Sequence, residues 1–198
     1  MNILIVVAHP NPGSFNHSLA AAAADTARTC GHTVVMRDLC AERFDPVMPA
    51  AEFAKDAPLP PDIARHCADL RAADGIVILH PNWWGQPPAI LTGWIDRVVR
   101  PGVAYEFRMN DQGEGVPVGL LKLRAALVLN TANTPADREV AVFGDPLELI
   151  WRKCVFGLCG VTNVRRQTFS VVIVSTPAQR AAWLDDTRTA MRELFPAG

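Results

Sequence analysis

Five short apolar runs recur along the chain, each bounded by turn residues, and the stretches between them carry helical periodicity. The first, Ile3–Ala8, is continuous and β-branched, as in a strand covered on both faces. Asp74–Leu79 and Arg124–Asn130 are of the same kind. His32–Asp38, with Val34, Val35 and Met36, and Asn163–Val174 complete the set. The intervening stretches predict helices. An alanine-rich one opens at Ser14 and ends at Gly31. A second runs from Pro61 to about Ala72, with Ile63, Cys67 and Leu70 on one face. A third follows the spacing of Ile90, Leu91, Trp94, Ile95 and Val98. A fourth spans Pro146–Leu158, and the last starts at Thr176-Pro177 and reaches Leu194.

Strict alternation of strand and helix predicts one α/β domain over residues 1–198, a doubly wound parallel sheet with helices on both faces. Five strands favour the order 2-1-3-4-5 over a six-stranded dinucleotide fold. Two stretches stand outside the pattern. Leu39–Pro61 is rich in proline and too long for a routine connection, so it reads as a surface excursion with a packing or functional role. Pro101–Leu121, punctuated by Gly113, Gly115 and Pro117, reads as loop.

Composition narrows the picture only a little. The 198 residues are 49% hydrophobic and 20% charged, with a formal net charge of −1, which supplies no electrostatic case for binding nucleic acid or an anionic membrane. Five cysteines (Cys30, Cys40, Cys67, Cys154, Cys159) with no C-x-x-C read as reduced thiols, and no apolar run is long enough to span a bilayer. The N-terminus turns polar after Ala8 and reads as a first strand rather than a leader, so a cytoplasmic location is expected.

The chemistry gathers after strands one, three and four. The turn after strand one has neither G-x-G-x-x-G nor a P-loop; it has His9, then Ser14, Phe15 and Asn16 at a helix start. Two readings stand there: an ordinary N-cap serine with a loop histidine, or a phosphate site built from helix N–H groups, the Ser14 hydroxyl, the Asn16 amide and His9. Position after the first strand favours the second. After strand three come Pro81, Asn82, Trp83, Trp84 and Gly85, in a loop whose two adjacent tryptophans cannot both enter one core. A stiff aromatic loop at the carboxyl end of a central parallel strand suits a flat ligand, and a flavin ring lying on it is the reading adopted. A flavin needs an apolar wall and N–H groups near N5 and its N1/O2 edge, which this loop and Thr131–Thr134 are placed to supply. Asp96-Arg97 reads as an ordinary helix-surface pair or interface contact.

These segments resemble the NAD(P)H:quinone oxidoreductase family of flavodoxin-like flavoproteins. Ala8–Asn16 matches the family's His-x4-Ser-Phe-Asn pyrophosphate loop, and 81–98 matches its isoalloxazine loop and following helix. Residues 102–107, Gly-Val-Ala-Tyr-Glu-Phe, resemble a segment that lines the substrate cavity across a dimer, and Phe44–Pro46 and Thr176–Ala178 fall where the family has similar residues. The resemblance implies a flavodoxin-like fold, a homodimer, a bound flavin (FAD rather than FMN in this branch), and ping-pong hydride transfer from NAD(P)H through flavin N5 to a quinone. It places His9, Ser14, Phe15 and Asn16 on the pyrophosphate. Pro81, Asn82, Trp83, Trp84 and Gly85 fall around the ring, with the Trp84 and Gly85 N–H groups near N5, and Tyr105 and Phe107 form acceptor-side walls.

The chain departs from the family in two places. The Thr-Thr-Gly-Gly after strand four is here Asn130-Thr-Ala-Asn-Thr134, so Thr131, Asn133 and Thr134 would replace backbone approach with side-chain donors. The histidine before Gly-Asp, paired in the family with an upstream tyrosine as a proton relay, is here Phe143, counted on the acceptor side; the sole tyrosine is Tyr105. Protonation would then come from water or from the quinone itself. The alternative function is a redox-sensing ancillary subunit of a potassium-efflux-type transporter.

Overall fold

The three most apolar strands lie side by side at the centre of the sheet. β1 (Asn2–Val7), β3 (Gly75–Pro81) and β6 (Ala125–Ala132) are buried almost end to end, as expected for parallel strands with helices on both faces. β2 (Thr33–Asp38) and β7 (Val164–Ser170) form the edges and carry the half-buried polar positions. All pairings are parallel, in the order β2-β1-β3-β6-β7, which is 2-1-3-4-5 when only the strands of this sheet are counted. This computed structural model describes residues 1–197; Gly198, the last residue of the expected domain, lies outside the described residues.

Period-two alternation divides the core into two layers. Leu4, Val6, Ile76, Ile78, Ala126 and Val128 face α2 (Pro61–Ala72), α3 (Ala89–Val98) and the segment after Pro146, where they meet Ile63, Leu70, Trp94 and Trp151. Ile5, Val7, Val77, Leu79, Leu127 and Leu129 face α1 (Phe15–Thr29), and the last helix also packs on this side, meeting them through Leu19, Ala23 and Met191. The remaining helical segments are α4 (Ala136–Arg138), α5 (Pro146–Leu149) and α6 (Pro177–Leu194). Thr176 caps α6 as the sequence predicts. Its hydroxyl accepts the Gln179 N–H at 3.1 Å, and the Gln179 side chain accepts the Thr176 N–H at 2.9 Å. No described helix is long and apolar enough to cross a membrane.

Four expectations are corrected. The 101–121 stretch contains an antiparallel hairpin, β4 (Tyr105–Met109) with β5 (Gly115–Gly119), separate from the main sheet; Pro117 fits because the hairpin has free edges. The last strand ends at Ser170, and residues 172–174 form a 3₁₀ turn. The helix expected over 146–158 stays α-helical for one turn and then widens to i→i+5 bonding over Ile150–Val155, where the Phe156 N–H donates to Trp151 O at 3.0 Å. Arg97 is not a surface residue. It is buried against Glu52, with Nη2 donating to Oε1 at 2.5 Å and Nε to Oε2 at 3.0 Å, and Nη1 donates to Asp45 O. Arg100 adds Nη2 bonds to Glu52 O and Ala54 O, so the proline-rich excursion is pinned to the end of α3. Its other anchor is steric: a Cβ at Gly93 would lie 2.2 Å from Pro46 O, so only glycine lets the excursion lie on α3.

Candidate active site

Two cavities open at the carboxyl ends of β1, β3 and β6, and they share Asn82, Ala132, Asn133 and Thr134. The first, about 400 Å³, is bounded by His9, Ser14, Phe15, Asn16, Trp83 and Arg180. Ser14 occupies the N-cap of α1 without capping it: its Oγ pairs with His17 Nδ1 at 2.8 Å, and His17 Nε2 meets Asp38 at 3.0 Å. The Phe15 and Asn16 N–H groups of the first turn are therefore left to a ligand, while the His17 N–H donates to Ser14 O at 3.0 Å. Asn16 is 2% exposed; its Nδ2 donates to Thr131 Oγ1 at 2.8 Å and its Oδ1 has no partner. An orphaned buried amide oxygen beside an open helix terminus is costly unless a ligand completes it.

His9 extends the donor set. The Asn11 N–H donates to its Nδ1 at 3.1 Å, which leaves the neutral ring's proton on Nε2, and burial lowers its pKa from the usual value. Arg180 stands near the start of α6, braced by Ser175 Oγ at 2.8 Å and Val172 O at 3.2 Å, with its guanidinium 5.9 Å above the Phe15 ring. A cation close to a helix N-terminus works against the macrodipole, which makes the cavity's preference for an anion more pronounced.

The second cavity, about 510 Å³, is walled by Trp84, Gly85, Phe143 and Pro146, with Glu139 in its lining. Its floor is the Trp loop. Asn82 N–H donates to Thr131 O at 2.7 Å, and Trp83 and Gln86 exchange backbone bonds at 3.2 and 3.0 Å. Trp84 and Gly85 both have positive φ, +58° and +71°, and a Cβ on Gly85 would lie 3.0 Å from Pro146. A tryptophan in the left-handed region is uncommon and marks a loop held by its surroundings. The holder is Asn82: its Oδ1 accepts the Gly85 N–H at 3.0 Å and its Nδ2 donates to Glu139 Oε1 at 3.0 Å.

Beneath the loop lies a buried polar cluster. His80, fully buried, donates from Nδ1 to Pro81 O at 2.8 Å, while its Nε2 faces Asn130 Nδ2 at 2.8 Å and Trp151 Nε1 at 2.9 Å. With both nitrogens committed and the ring fully buried, its pKa falls to about 4, burial being the cause. Arg166 joins Asn130 Oδ1 to the carboxylates of Asp145 and Glu148. Burial works against ionisation of Glu148, but hydrogen bonds from Arg152 and Arg166 outweigh it and hold its pKa below normal.

Most of the residues singled out in the sequence converge here. His9, Ser14, Phe15, Asn16, Pro81, Asn82, Trp83, Trp84, Gly85, Thr131, Asn133, Thr134 and Phe143 all line one cavity or the other. Two details differ. The Gly85 N–H, expected beside N5, is spent on Asn82, and the Asn133 carbonyl is spent on the Ile173 N–H at 2.9 Å. Tyr105 and Phe107 line neither cavity of their own chain; they stack edge to face on the hairpin, where burial raises the Tyr105 pKa. Sequence reasoning missed His80, Glu139, Trp151, Arg166 and Arg180. A lone histidine closing an otherwise apolar central strand and an arginine near a helix start were the available signals.

The flavodoxin-like fold family matches residues 1–194. An uncharacterized NAD(P)H oxidoreductase of Haemophilus influenzae is 32% identical over 192 residues, covering 93% of this chain and 91% of that protein. NAD(P)H dehydrogenase (quinone) 1 of Rattus norvegicus is 33% identical over 215 residues, covering 97% and 77%. The solved NAD(P)H:quinone oxidoreductase from Methanothermobacter marburgensis has a TM-score of 0.83 at 26% identity, covering 98% of this chain and 96% of that one. The chain belongs to the flavodoxin-like NAD(P)H:quinone oxidoreductase family and is an oxidoreductase.

Proposed function

We propose that the two cavities together hold one flavin, and that the protein carries a hydride from NAD(P)H through that flavin to a quinone or a similar two-electron acceptor. The observation that carries this is the pair of unspent N–H groups at the start of α1, Phe15 and Asn16, in a cavity that shares four lining residues with the Trp84–Phe143 cavity; the orphaned Asn16 Oδ1 beside them would accept from a flavin hydroxyl. The donor set fits the group. His9, Ser14 and the Phe15 and Asn16 N–H groups would hold phosphate, and Arg180, a cation in the same lining, is the group a second phosphate of FAD would use. Trp83, Trp84 and Gly85 would wall the ring, with the Trp84 N–H at the N5 edge, while Thr131, Asn133 and Thr134 present side chains to its pyrimidine edge.

When bound, the flavin supplies two-electron chemistry at N5. The chain's contribution is position and exclusion. The Asn82 clamp fixes the Trp loop, the His80 cluster fixes its Pro81 root, and Phe143 narrows the acceptor side. The reading includes a cytoplasmic homodimer. Trp84 is 98% exposed, and Phe107, Met109, Val142 and Phe143 are exposed too, apolar area of the kind that marks an interaction surface. A second copy would bring Tyr105 and Phe107 over the open side of the ring-side cavity. The test is a visible spectrum of the flavin-loaded protein under argon. Bleaching by NADPH or NADH and recovery with menadione is expected; a flavin band indifferent to both nucleotides would overturn the reading.

A further inference from the structure

Reduction of a quinone by a hydride leaves one oxygen needing a proton, so the cavity that receives the acceptor needs an acid. Of the nine residues lining the ring-side cavity, Glu139 alone has a side chain that serves as an acid or base. It is 9% exposed, and its two carboxyl oxygens have different surroundings. Oε1 accepts from Asn82 Nδ2 at 3.0 Å; Oε2 has no hydrogen-bond partner among the described residues and is not sealed from the cavity. We infer that Glu139 is the proton donor to the acceptor, giving up the proton from Oε2, an inference that rests on the flavin-reductase reading of this site.

The backbone holds the carboxyl in place. Glu139 opens a widened turn, Glu139–Phe143, closed by the Gly144 N–H on Val140 O at 3.1 Å and the Asp145 N–H on Glu139 O at 3.3 Å. Asn82 ties the side chain to the same loop that walls the ring, so the acid and the ring wall move as one piece. No charge from the neighbouring elements competes for the proton. Asp137 and Arg138 on its own turn are exposed, Asp145 turns its carboxylate to Arg166, and the Trp loop and the residues after β6 bring no ionisable side chain to the cavity. His9 stands in the adjoining cavity, beyond Trp83.

The step balances. The hydride leaves NAD(P)H, which departs as NAD(P)⁺, and reaches the quinone by way of the flavin. The quinone oxygen forms an O–H bond as the Oε2–H bond breaks, and the Glu139 carboxylate regains a proton from water at the cavity mouth. Overall, NAD(P)H, one proton and a quinone give NAD(P)⁺ and a hydroquinone.

Glu139→Gln keeps the volume and the Asn82 acceptor but cannot give up a proton. In flavin-loaded protein, menadione reduction is expected to fall about 100-fold, the lower end of what a positioned acid contributes. Flavin affinity by fluorescence titration, bleaching by NADPH, and reduction of ferricyanide, which takes no proton, should stay within about twofold of wild type, well below the general-acid effect. A wild-type menadione rate in Glu139→Gln would overturn the proposal. Equal losses with menadione and ferricyanide would overturn it too, by making Glu139 a positioning residue only. A wild-type protein that binds flavin but is not bleached by either nucleotide would instead bring down the parent reading, and the proton donor with it.

Discussion

The two cavities meet along Asn82, Ala132, Asn133 and Thr134, yet they are built by opposite means. On the phosphate side, the donors around the open α1 terminus come from local chain, although the rest of the lining does not. One strand end, one turn and the first residues of α1 supply His9, Ser14, Phe15 and Asn16, and helix geometry opens the N–H groups. The ring-side cavity is assembled by long-range contact: Asn82 to Glu139 across 57 residues, Trp151 to His80 across 71, and Pro146 under Gly85. A locally built half should lose ligand affinity when mutated and keep its fold. A half built by tertiary contact should lose both.

The largest expected effect is at the junction. Asn82→Leu strips the Gly85 N–H and the Glu139 carboxyl of their partner at once, two part-buried hydrogen bonds at about 1 kcal/mol each. Thermal stability should drop, and riboflavin, FMN and FAD should all bind far more weakly. Unchanged stability would break the claim that this half depends on tertiary contact.

Next comes the floor. His80 has a folded pKa of about 4 against an ordinary 6.5, so the unfolded chain takes up a proton that the folded one refuses between those values. Stability is therefore full above pH 6.5 and falls as pH drops toward 4, by about 3 kcal/mol in all. Urea unfolding across that range checks it, and His80→Asn should flatten this component of the pH dependence.

On the phosphate side the effects are smaller and more selective. His9→Ala should weaken FMN and FAD about 10-fold, one hydrogen bond to a charged group, while leaving riboflavin, which has no phosphate, nearly untouched. Ser14→Ala is expected to cost less, about 0.5–1 kcal/mol of FAD affinity, because Oγ already pairs with His17. Equal losses for riboflavin in either variant would show that the two halves do not act separately.

The same contrast explains what the sequence made legible. β1, β3 and β6 are continuous apolar runs because both faces are covered, so the sheet and its order follow from pattern. The phosphate loop is legible because its residues lie within eight positions of one another. The hairpin 105–119 was hidden by the glycines and proline that a free-edged ribbon tolerates and a central strand does not. Arg97 was read as exposed because arginine usually is; its partner Glu52 lies 45 residues away, in a segment with no periodicity to place it. Glu139, Trp151 and Arg166 carry no local signal, since each acquires its role from a partner brought in by the fold. The wider turns at 139–143 and 150–155 depart from the 3.6-residue period on which helix reading rests.

The central claim is that one flavin spans both cavities. Its most direct measurement is a titration of flavin-free protein with FAD, followed by tryptophan fluorescence in wild type and in His9→Ala. Saturation at one flavin per chain is predicted, with Trp83 and Trp84 quenched to the same endpoint in both proteins and only the midpoint shifted in the variant. Quenching that never saturates, or a His9→Ala midpoint equal to wild type, would contradict a phosphate held at α1 and a ring held on the Trp loop by the same molecule.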